Sequence, residues 1–304
     1  MHGAAMAHAP IPQLASIGAA ARLRRTTRLD SRTWTGIGLL GPAIVATVLF
    51  AIIPLLYLFQ VSLTQKSSFF FTAAYTVTNY RTILDRYLPT IWETIYLASL
   101  SSLVDLVFGY PFAYILIRKV RYRELVRTMM TFPLFGPLYL SFGLFYMLLP
   151  TGPLGPTLDF LGIKATTLLY SLPTVLFAMA VFTFPFMVMN IGTALSNVDP
   201  ILEEAATCLG ARPWQTFWRV LFPLSRSGII AGLLMCFGWN MGVHIVPLLL
   251  GRLSEQRVLS IAMYQKGLVQ FDYGLAAAMG IVLMGIAFGV TWLSLRFSRG
   301  ALGA

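Results

Sequence analysis

Residues 33–65 read TWTGIGLLGPAIVATVLFAIIPLLYLFQVSLTQ and contain no charged side chain. The hydrocarbon core of a bilayer, about 30 Å thick, is crossed by roughly 20 apolar residues in a helix, so this stretch predicts a membrane-spanning helix. Five later stretches share its apolar character, and Asp105 is the one charged residue well inside them. After trimming of their ends, the six predicted spans are about 36–63, 92–117, 128–150, 170–195, 226–250 and 273–296. The sequence thus predicts an all-α, polytopic membrane protein.

The composition excludes most soluble classes. Of the 304 residues, 57% are hydrophobic and 11% are charged, and the mean hydropathy is +0.75. A soluble globular domain has about 25% charged residues, so this chain has too few to cover a surface that faces water. Its two cysteines, Cys208 and Cys236, form no C-x-x-C pattern, and we expect neither a disulfide nor a metal site. The sequence also lacks a Gly-x-x-x-x-Gly-Lys-Ser/Thr phosphate-binding loop, so any nucleotide is expected on a partner.

The net charge of +11 is distributed as a topology signal. If the N-terminus is cytoplasmic, the segments on that side hold 15 of the 22 basic residues, including five in 22–32 and five in 118–127. Cytoplasmic loops carry an excess of Lys and Arg, so both termini are predicted in the cytoplasm and no nucleic acid is expected as a partner. Residues 1–32 are predicted to form a cytoplasmic tail. A secretory signal is disfavoured because 33–65 is much longer than a signal's apolar region of about 7 to 15 residues.

Between the fourth and fifth predicted spans, residues 197–223 read NVDPILEEAATCLGARPWQTFWRVLFP. Asp199, followed by a proline, is a typical helix start, and Gly210 is a typical helix end. Pro213 can begin a second helix, and Pro223 is expected to end it before the next span. The apolar residues of this segment are too many for a solvated linker. We therefore expect it to dock on another protein or on the end of the bundle itself.

The spacing of this loop resembles a known motif. Glu204-Ala205-Ala206, three residues, Gly210, nine residues, Val220, one residue and Phe222-Pro223 resemble the EAA loop of permease subunits of binding-protein-dependent ABC importers, with Val for Ile and Phe for Leu. The resemblance implies a type I importer fold with six transmembrane helices, a permease domain over 33–300 and a loop that seats in a groove of the ATP-binding subunit. The residues expected to take part in this coupling are Glu203, Glu204, Ala205, Ala206, Gly210 and Pro223.

The resemblance also implies partners. They are two ATP-binding subunits that carry ATP and Mg, a second permease subunit, with a heterodimer expected, and an extracytoplasmic solute-binding protein. The chain itself is expected in the lipid of a bacterial inner membrane, without enzymatic activity and without a bound cofactor. Glu204 can pair with a basic residue of the groove, and the glycine of the motif permits the bend.

Two regions narrow the resemblance to spermidine/putrescine permease subunits. Residues 108–118, FGYPFAYILIR, and residues 246–251 with 271–278 are similar to segments of that subgroup, and iron and thiamine importers share weaker versions. The sequence departs from the subgroup because it lacks the usual arginine downstream of Pro133 and has Glu93 where asparagine is usual. The expected cargo is therefore a polyamine or a related amino-acid-derived cation.

Asp105, Trp239 and Asn240 are the candidates for a substrate pathway. An ionisable residue inside a span costs roughly 2.5 to 3.5 kcal/mol on insertion scales and often marks function. Asp105 could balance a protonated amine, or it could make a structural hydrogen bond to another helix or to the second permease. Trp239 and Asn240 could bind a cation through the ring and the amide, although each could equally be a packing residue. Glu93 is expected to reach the headgroups, and His244 is expected to pack against other residues.

Two alternatives belong to other mechanistic classes. A carrier driven by an ion gradient predicts inverted internal repeats and more intramembrane acids than Asp105 alone. An intramembrane enzyme requires a convergent set of catalytic side chains, and the spans show neither a His/Glu metal cluster nor a Ser/His/Asp arrangement. We therefore expect no catalytic residue in this chain and ATP hydrolysis on the partner subunits.

Overall fold

The computed structural model describes residues 40–43, 45–64, 75–160, 162, 164–251 and 258–302. The expected tail, 1–32, lies outside the described residues. The chain divides into two compact units, Met1–Tyr57 and Leu58–Ala304. The described residues are helical apart from turns and one isolated antiparallel bridge between Thr64 and Tyr75. The prediction of an all-α protein is confirmed.

The helices are α1 (Leu40–Ser62), α2 (Thr78–Arg86), α3 (Leu88–Arg118), α4 (Arg123–Met130), α5 (Pro137–Leu148), α6 (Gly155–Phe160), α7 (Ala165–Leu169), α8 (Leu172–Ser196), α9 (Ile201–Cys208), α10 (Pro213–Gly242), α11 (Ile245–Leu250), α12 (Leu259–Tyr264) and α13 (Tyr273–Leu302). Two of them contain a π-helical turn, which is Val48–Ile52 in α1 and Phe217–Leu221 in α10. A third π turn, Gln265–Val269, follows α12, and a 3₁₀ turn, Phe132–Phe135, separates α4 from α5.

Among the described residues, five helices are long and apolar enough to cross a bilayer: α1, α3, α8, α10 and the first 22 residues of α13. With 31 residues, α3 is about 46 Å long, so it extends beyond a hydrocarbon core of about 30 Å. The centre of the second unit is α8, whose apolar stretch is 56% buried, more than that of α3, α10 or α13. It shares a core with α3 and α10 that includes Ala113, Met187, Ile191 and Cys236.

The helices α8 and α10 approach each other closely at small residues. A Cβ atom added at Gly228 would lie 2.5 Å from the Cβ of Ala194 and 2.6 Å from the carbonyl oxygen of Asn190. Small residues let membrane helices pack at this distance. The contact holds α10 against α8 and so positions the loop that joins them.

The third predicted span, 128–150, is interrupted. It is shared by α4, the 3₁₀ turn and α5, and the apolar helix α5 has 12 residues, or about 18 Å. Pro133 and Pro137 cannot donate a backbone hydrogen bond, and Gly136 between the helical pieces has a φ of 144°, which favours glycine. The run of apolar residues predicts one continuous span here. The structure instead has the short apolar helix α5, which the 3₁₀ turn separates from α4.

The expectation that Pro223 ends a loop helix is wrong, because α10 runs through it from Pro213 to Gly242. A π turn precedes the proline. Phe222 donates its backbone N–H to the carbonyl of Phe217, five residues back, and this wider turn accommodates a residue that has no N–H and a bulky ring. The predicted span 226–250 is accordingly divided between the end of α10 and the short helix α11.

Candidate functional site

The 197–223 loop forms a helix and a glycine bend, as its pattern predicts, and its last part is the start of α10. The Asp199 carboxylate accepts a hydrogen bond of 3.0 Å from the Ile201 N–H, where α9 begins. After α9, Gly210 has a φ of 82°, in the left-handed region that favours glycine. Beyond the bend, the Arg212 N–H donates to Gln215 Oε1 at 2.9 Å, within the first turn of α10. Local hydrogen bonds thus fix the shape of the loop.

The two adjacent glutamates of α9 have different surroundings. Glu203 faces the end of α3, where its Oε1 lies 2.8 Å from Arg118 Nε and its Oε2 accepts a hydrogen bond of 3.0 Å from the Tyr114 hydroxyl. The Arg118 and Glu203 side chains are only 15% and 17% exposed. Glu204, by contrast, is exposed. One carboxylate is therefore held within the protein, and the other is available to another molecule.

The outer face of the loop, around Glu204, is rich in apolar side chains. Ala205, which is exposed, and Ala206, which is half-buried, follow Glu204 in α9. The large apolar residues that are also exposed are Ile201, Leu202, Leu209, Trp214 and Trp218. Exposed apolar residues grouped in this way are typical of a protein docking surface.

A cavity of about 510 Å³ lies between α3, α9 and α10. Its lining includes Tyr110, Tyr114, Glu203, Trp214 and Phe217. The Phe217 ring meets Tyr110 edge-on, with 5.0 Å between ring centres, and Trp214 stacks on Phe217 at 5.7 Å. The loop therefore contacts α3 through an ion pair and through an aromatic contact.

Asp105 and Asn240 lie together in a buried polar cluster that Thr183 joins. Asp105 and Thr183 are fully buried, and Asn240 is 3% exposed. Thr183 Oγ1 donates to Asp105 Oδ2 at 2.6 Å, and Asn240 Nδ2 lies 3.2 Å from both Thr183 Oγ1 and Ser101 Oγ. The cluster connects α3, α8 and α10, so the structural hydrogen bond considered for Asp105 is present. No nitrogen or oxygen donor of the described residues reaches Asp105 Oδ1 or Asn240 Oδ1.

Trp239 is separate from this cluster although it precedes Asn240. Successive residues of an α-helix point about 100° apart, and Trp239 is 48% exposed. Its ring stacks on Phe186, with 5.7 Å between centres and 8° between planes. Together with Pro137 and His244 it lines a cleft of about 620 Å³. The three predicted pathway residues thus occupy two places, the buried cluster and this aromatic cleft.

The remaining polar candidates divide as well. His244 stacks on Tyr264 with 5.4 Å between ring centres, which confirms the packing expected of it. Glu93 is half-buried, with one carboxylate oxygen fully buried, and its reach to the headgroups stays a prediction. The start of α12 covers α3 there, since Leu259 donates its N–H to Thr94 Oγ1 at 2.8 Å.

Three residues of these sites are absent from the sequence-based predictions: Tyr114, Arg118 and Thr183. Tyr114 and Arg118 stand four residues apart at the end of α3, a spacing that puts side chains on one helix face. That spacing is the available signal for a paired contact with an acid. Nothing in the sequence around Thr183 distinguishes it from other threonines in membrane helices.

Residues 105–302 match the family described as binding-protein-dependent transport system inner membrane component. The spermidine/putrescine transport system permease protein PotB of Escherichia coli (strain K12) is 30% identical over 260 residues, which are 82% of this chain and 94% of PotB. The probable sulfate transport system permease protein cysT of Marchantia polymorpha is 31% identical over 196 residues, 63% of this chain and 66% of cysT. A chain in the crystal structure of a bacterial alginate ABC transporter, in complex with alginate pentasaccharide-bound periplasmic protein, has the same fold. It matches with a TM-score of 0.73 at 21% identity, over 91% of this chain and 98% of that chain.

Proposed function

Because the chain belongs to the family of inner membrane components of binding-protein-dependent transport systems, we propose that it forms half of a translocation pathway with a second, similar permease subunit. The chain is the permease of an ABC importer and is not itself an enzyme. In the proposed assembly, two ATP-binding subunits dock on the permease pair at the 197–223 loops. An extracytoplasmic binding protein delivers cargo to the opposite side, and the pair is a heterodimer.

The outer face of the loop is the observation that carries this assembly. It presents the Glu204 carboxylate and exposed apolar side chains. The loop itself is attached to α3 through Glu203. A partner that binds there can push on a fixed element of the bundle instead of on a flexible linker. Mild extraction from the native membrane tests the assembly, because an ATP-binding subunit and a second permease are expected to copurify with this chain. Recovery of the chain alone would contradict the proposal.

The proposed site of action is the bacterial inner membrane, with both termini and the 197–223 loop in the cytoplasm. Cys208 is a natural reporter of this orientation, since it is exposed on α9 while Cys236 is buried. A membrane-impermeant maleimide should label the chain in inside-out vesicles and leave it unlabelled in right-side-out vesicles. The Cys208→Ser variant should remove the label. Labelling of the wild type in right-side-out vesicles, lost in that variant, would reverse the orientation.

The cargo that the sites support best is a polyamine or a related amino-acid-derived cation. Asp105 supplies a carboxylate without a basic side chain in its described hydrogen-bonded cluster. The stacked rings of Trp239 and Phe186 supply an aromatic face of the kind that binds ammonium groups. The relatives' names refer to spermidine and putrescine in one case and to sulfate in another, so the shared fold does not determine the cargo. The two sites are therefore the basis for proposing a cation.

Replacement of Trp239 tests the cargo proposal. In vesicles that contain the complete importer, Trp239→Ala is expected to raise the KM for labelled spermidine about fivefold, because a cation–π contact at an exposed site is worth about 1 kcal/mol. Trp92→Ala, which removes another exposed tryptophan, is the matched control and should leave KM unchanged. Unlabelled putrescine should compete with spermidine, and sulfate should not. An unchanged KM in Trp239→Ala, or competition by sulfate alone, would contradict the proposal.

A further inference from the structure

The ion pair between Glu203 and Arg118 joins two elements that are distant in the chain. Through the backbone, α9 is connected to α8 and α10, whereas α3 ends 80 residues before Val198. Among the described residues, each hydrogen bond or ion pair between α9 and α3 ends on the Glu203 carboxylate, one from Arg118 and one from Tyr114. The polar link from α9 to α3 therefore depends on a single side chain.

This ion pair is held in place from both sides. Arg118 Nη2 donates to the carbonyl oxygen of Val198 at 2.8 Å, which orients the guanidinium group, and Tyr114 orients the carboxylate. Both charged side chains are more than four-fifths buried. Exposed ion pairs contribute little, but a buried pair, each of whose groups makes a further hydrogen bond, is costly to break. The two elements are thus constrained to move together.

We infer that the Glu203–Arg118 ion pair transmits displacement of the 197–223 loop to α3, and that both residues are positioning residues of the coupling. The inference rests on the proposed function, since the ATP-binding subunit is what displaces the loop. The adjacent glutamates then have separate roles: Glu204 contacts the partner, and Glu203 contacts the bundle. From Arg118, the single helix α3 continues for 13 residues, about 20 Å, to Asp105. A displacement at the loop therefore reaches the buried polar cluster along one helix.

A distance measurement tests the mechanical part without knowledge of the cargo. Spin labels are placed on Cys208 of α9 and on Lys119→Cys, an exposed position after α3, with Cys236 replaced by serine. In the complete importer, MgATP is expected to leave the distance between the labels unchanged, because α9 and α3 move as one. In Glu203→Gln, MgATP is expected to shift that distance. An unshifted distance in Glu203→Gln would overturn the inference.

A second readout is the amount of spermidine taken up per ATP hydrolysed. In Glu203→Gln and Arg118→Gln, the ATP-binding subunits should copurify as in the wild type, and uptake per ATP should fall at least about fivefold. The loss in the double variant should be smaller than the sum of the two single losses, because both changes remove the Glu203–Arg118 contact. Glu124→Gln removes an exposed ion pair with Arg127 and should keep the wild-type ratio.

Several results would overturn the inference. The first is an unchanged uptake per ATP in Glu203→Gln, and the second is additive losses in the double variant. The third is loss of the ATP-binding subunits from Glu203→Gln, because that loss would mean that Glu203 contacts the partner. If the glutamine variants fold poorly, Tyr114→Phe removes a single hydrogen bond, and an unchanged ratio there would count equally against it. A wild-type chain that purifies without an ATP-binding subunit would refute the proposed function, and the inference with it.

Discussion

Glu204→Arg is expected to release the ATP-binding subunits from the complex and to stop transport while the permease still folds. Glu204 is exposed on the outer face of the loop, and no ion pair or hydrogen bond of its side chain to another described residue would be lost. At a docking surface, however, the wild-type carboxylate attracts a basic groove of the ATP-binding subunit, whereas the arginine of the variant repels it. Loss of one partner of a buried interfacial charge pair costs about 2 to 5 kcal/mol, which is at least about 30-fold in affinity. Copurification after mild extraction and spermidine uptake, both at matched expression, should fall together by at least this factor.

The matched control for this charge reversal is Glu124→Arg. Glu124 is an exposed glutamate of α4 whose ion pairs within the described part of the chain are with neighbouring arginines at 3.5 to 3.6 Å, so subunit recovery and uptake should stay within about twofold of the wild type. If Glu204→Arg retained the ATP-binding subunits, the outer face of the loop would not be their docking surface. A chain that purifies alone and moves solute in liposomes without ATP would favour the gradient-driven carrier instead.

The shape of the loop could be predicted because short-range chemistry determines it. As expected, the Asp199 carboxylate accepts from the N–H two residues later, and Gly210 adopts a positive φ. Both effects depend only on residues that are close in the sequence. Pro223 shows where such local reasoning fails. A proline inside an α-helix kinks or breaks it, and helix α10 continues through Pro223 after the π turn Phe217–Leu221. The packing of aromatic residues against Tyr110, far away in the sequence, accompanies this turn.

The contact between Arg118 and Glu203 could not be predicted from the charge pattern. Counting basic residues on either side of the membrane treats Arg118 as one of many topology signals, and the same count is obtained wherever its side chain points. Its partner is determined by which cytoplasmic ends of helices meet, and that depends on the packing of α3 against α8 and α10. The same limit applies to Thr183, which reaches Asp105 only because α8 lies between the other two helices.

The direction in which a side chain points around a membrane-spanning helix also could not be predicted from the sequence. In a soluble helix, polar and apolar faces reveal the orientation, but a membrane helix is apolar on all sides, toward lipid and toward its neighbours alike. Trp239 and Asn240 are adjacent and were both expected to line one pathway. In the structure Asn240 is buried with Asp105, whereas Trp239 is exposed in the cleft beside Pro137 and His244. A pathway that uses both sites requires the helices around the cluster to separate during transport.

Asp105→Asn is expected to leave the permease at least as stable as the wild type and to lower uptake of a cationic cargo at least about 100-fold. Asparagine has nearly the same size and keeps an oxygen that can accept from Thr183. The change removes a charge that is fully buried, and a buried charge without a cationic partner opposes folding. Loss of the carboxylate opposite a bound cation, by contrast, costs about 3 to 5 kcal/mol, which corresponds to 100-fold or more. Thermal unfolding of the purified importer and spermidine uptake measure the two effects separately.

If Asp105 binds the cargo, Asp105→Asn must lower transport without lowering stability. This result distinguishes a cargo-binding residue from a structural contact between helices. Asp85→Asn, which removes an exposed carboxylate from α2, should alter neither quantity and is the matched control. If Asp105 only joins α3 to α8, Asp105→Asn should weaken that link, lower the unfolding temperature and leave uptake per folded molecule unchanged. That result would reduce the cluster to a structural contact and leave the cleft at Trp239 as the cation site. Loss of uptake at undiminished stability would mean instead that the membrane retains a costly charge because the cargo needs it.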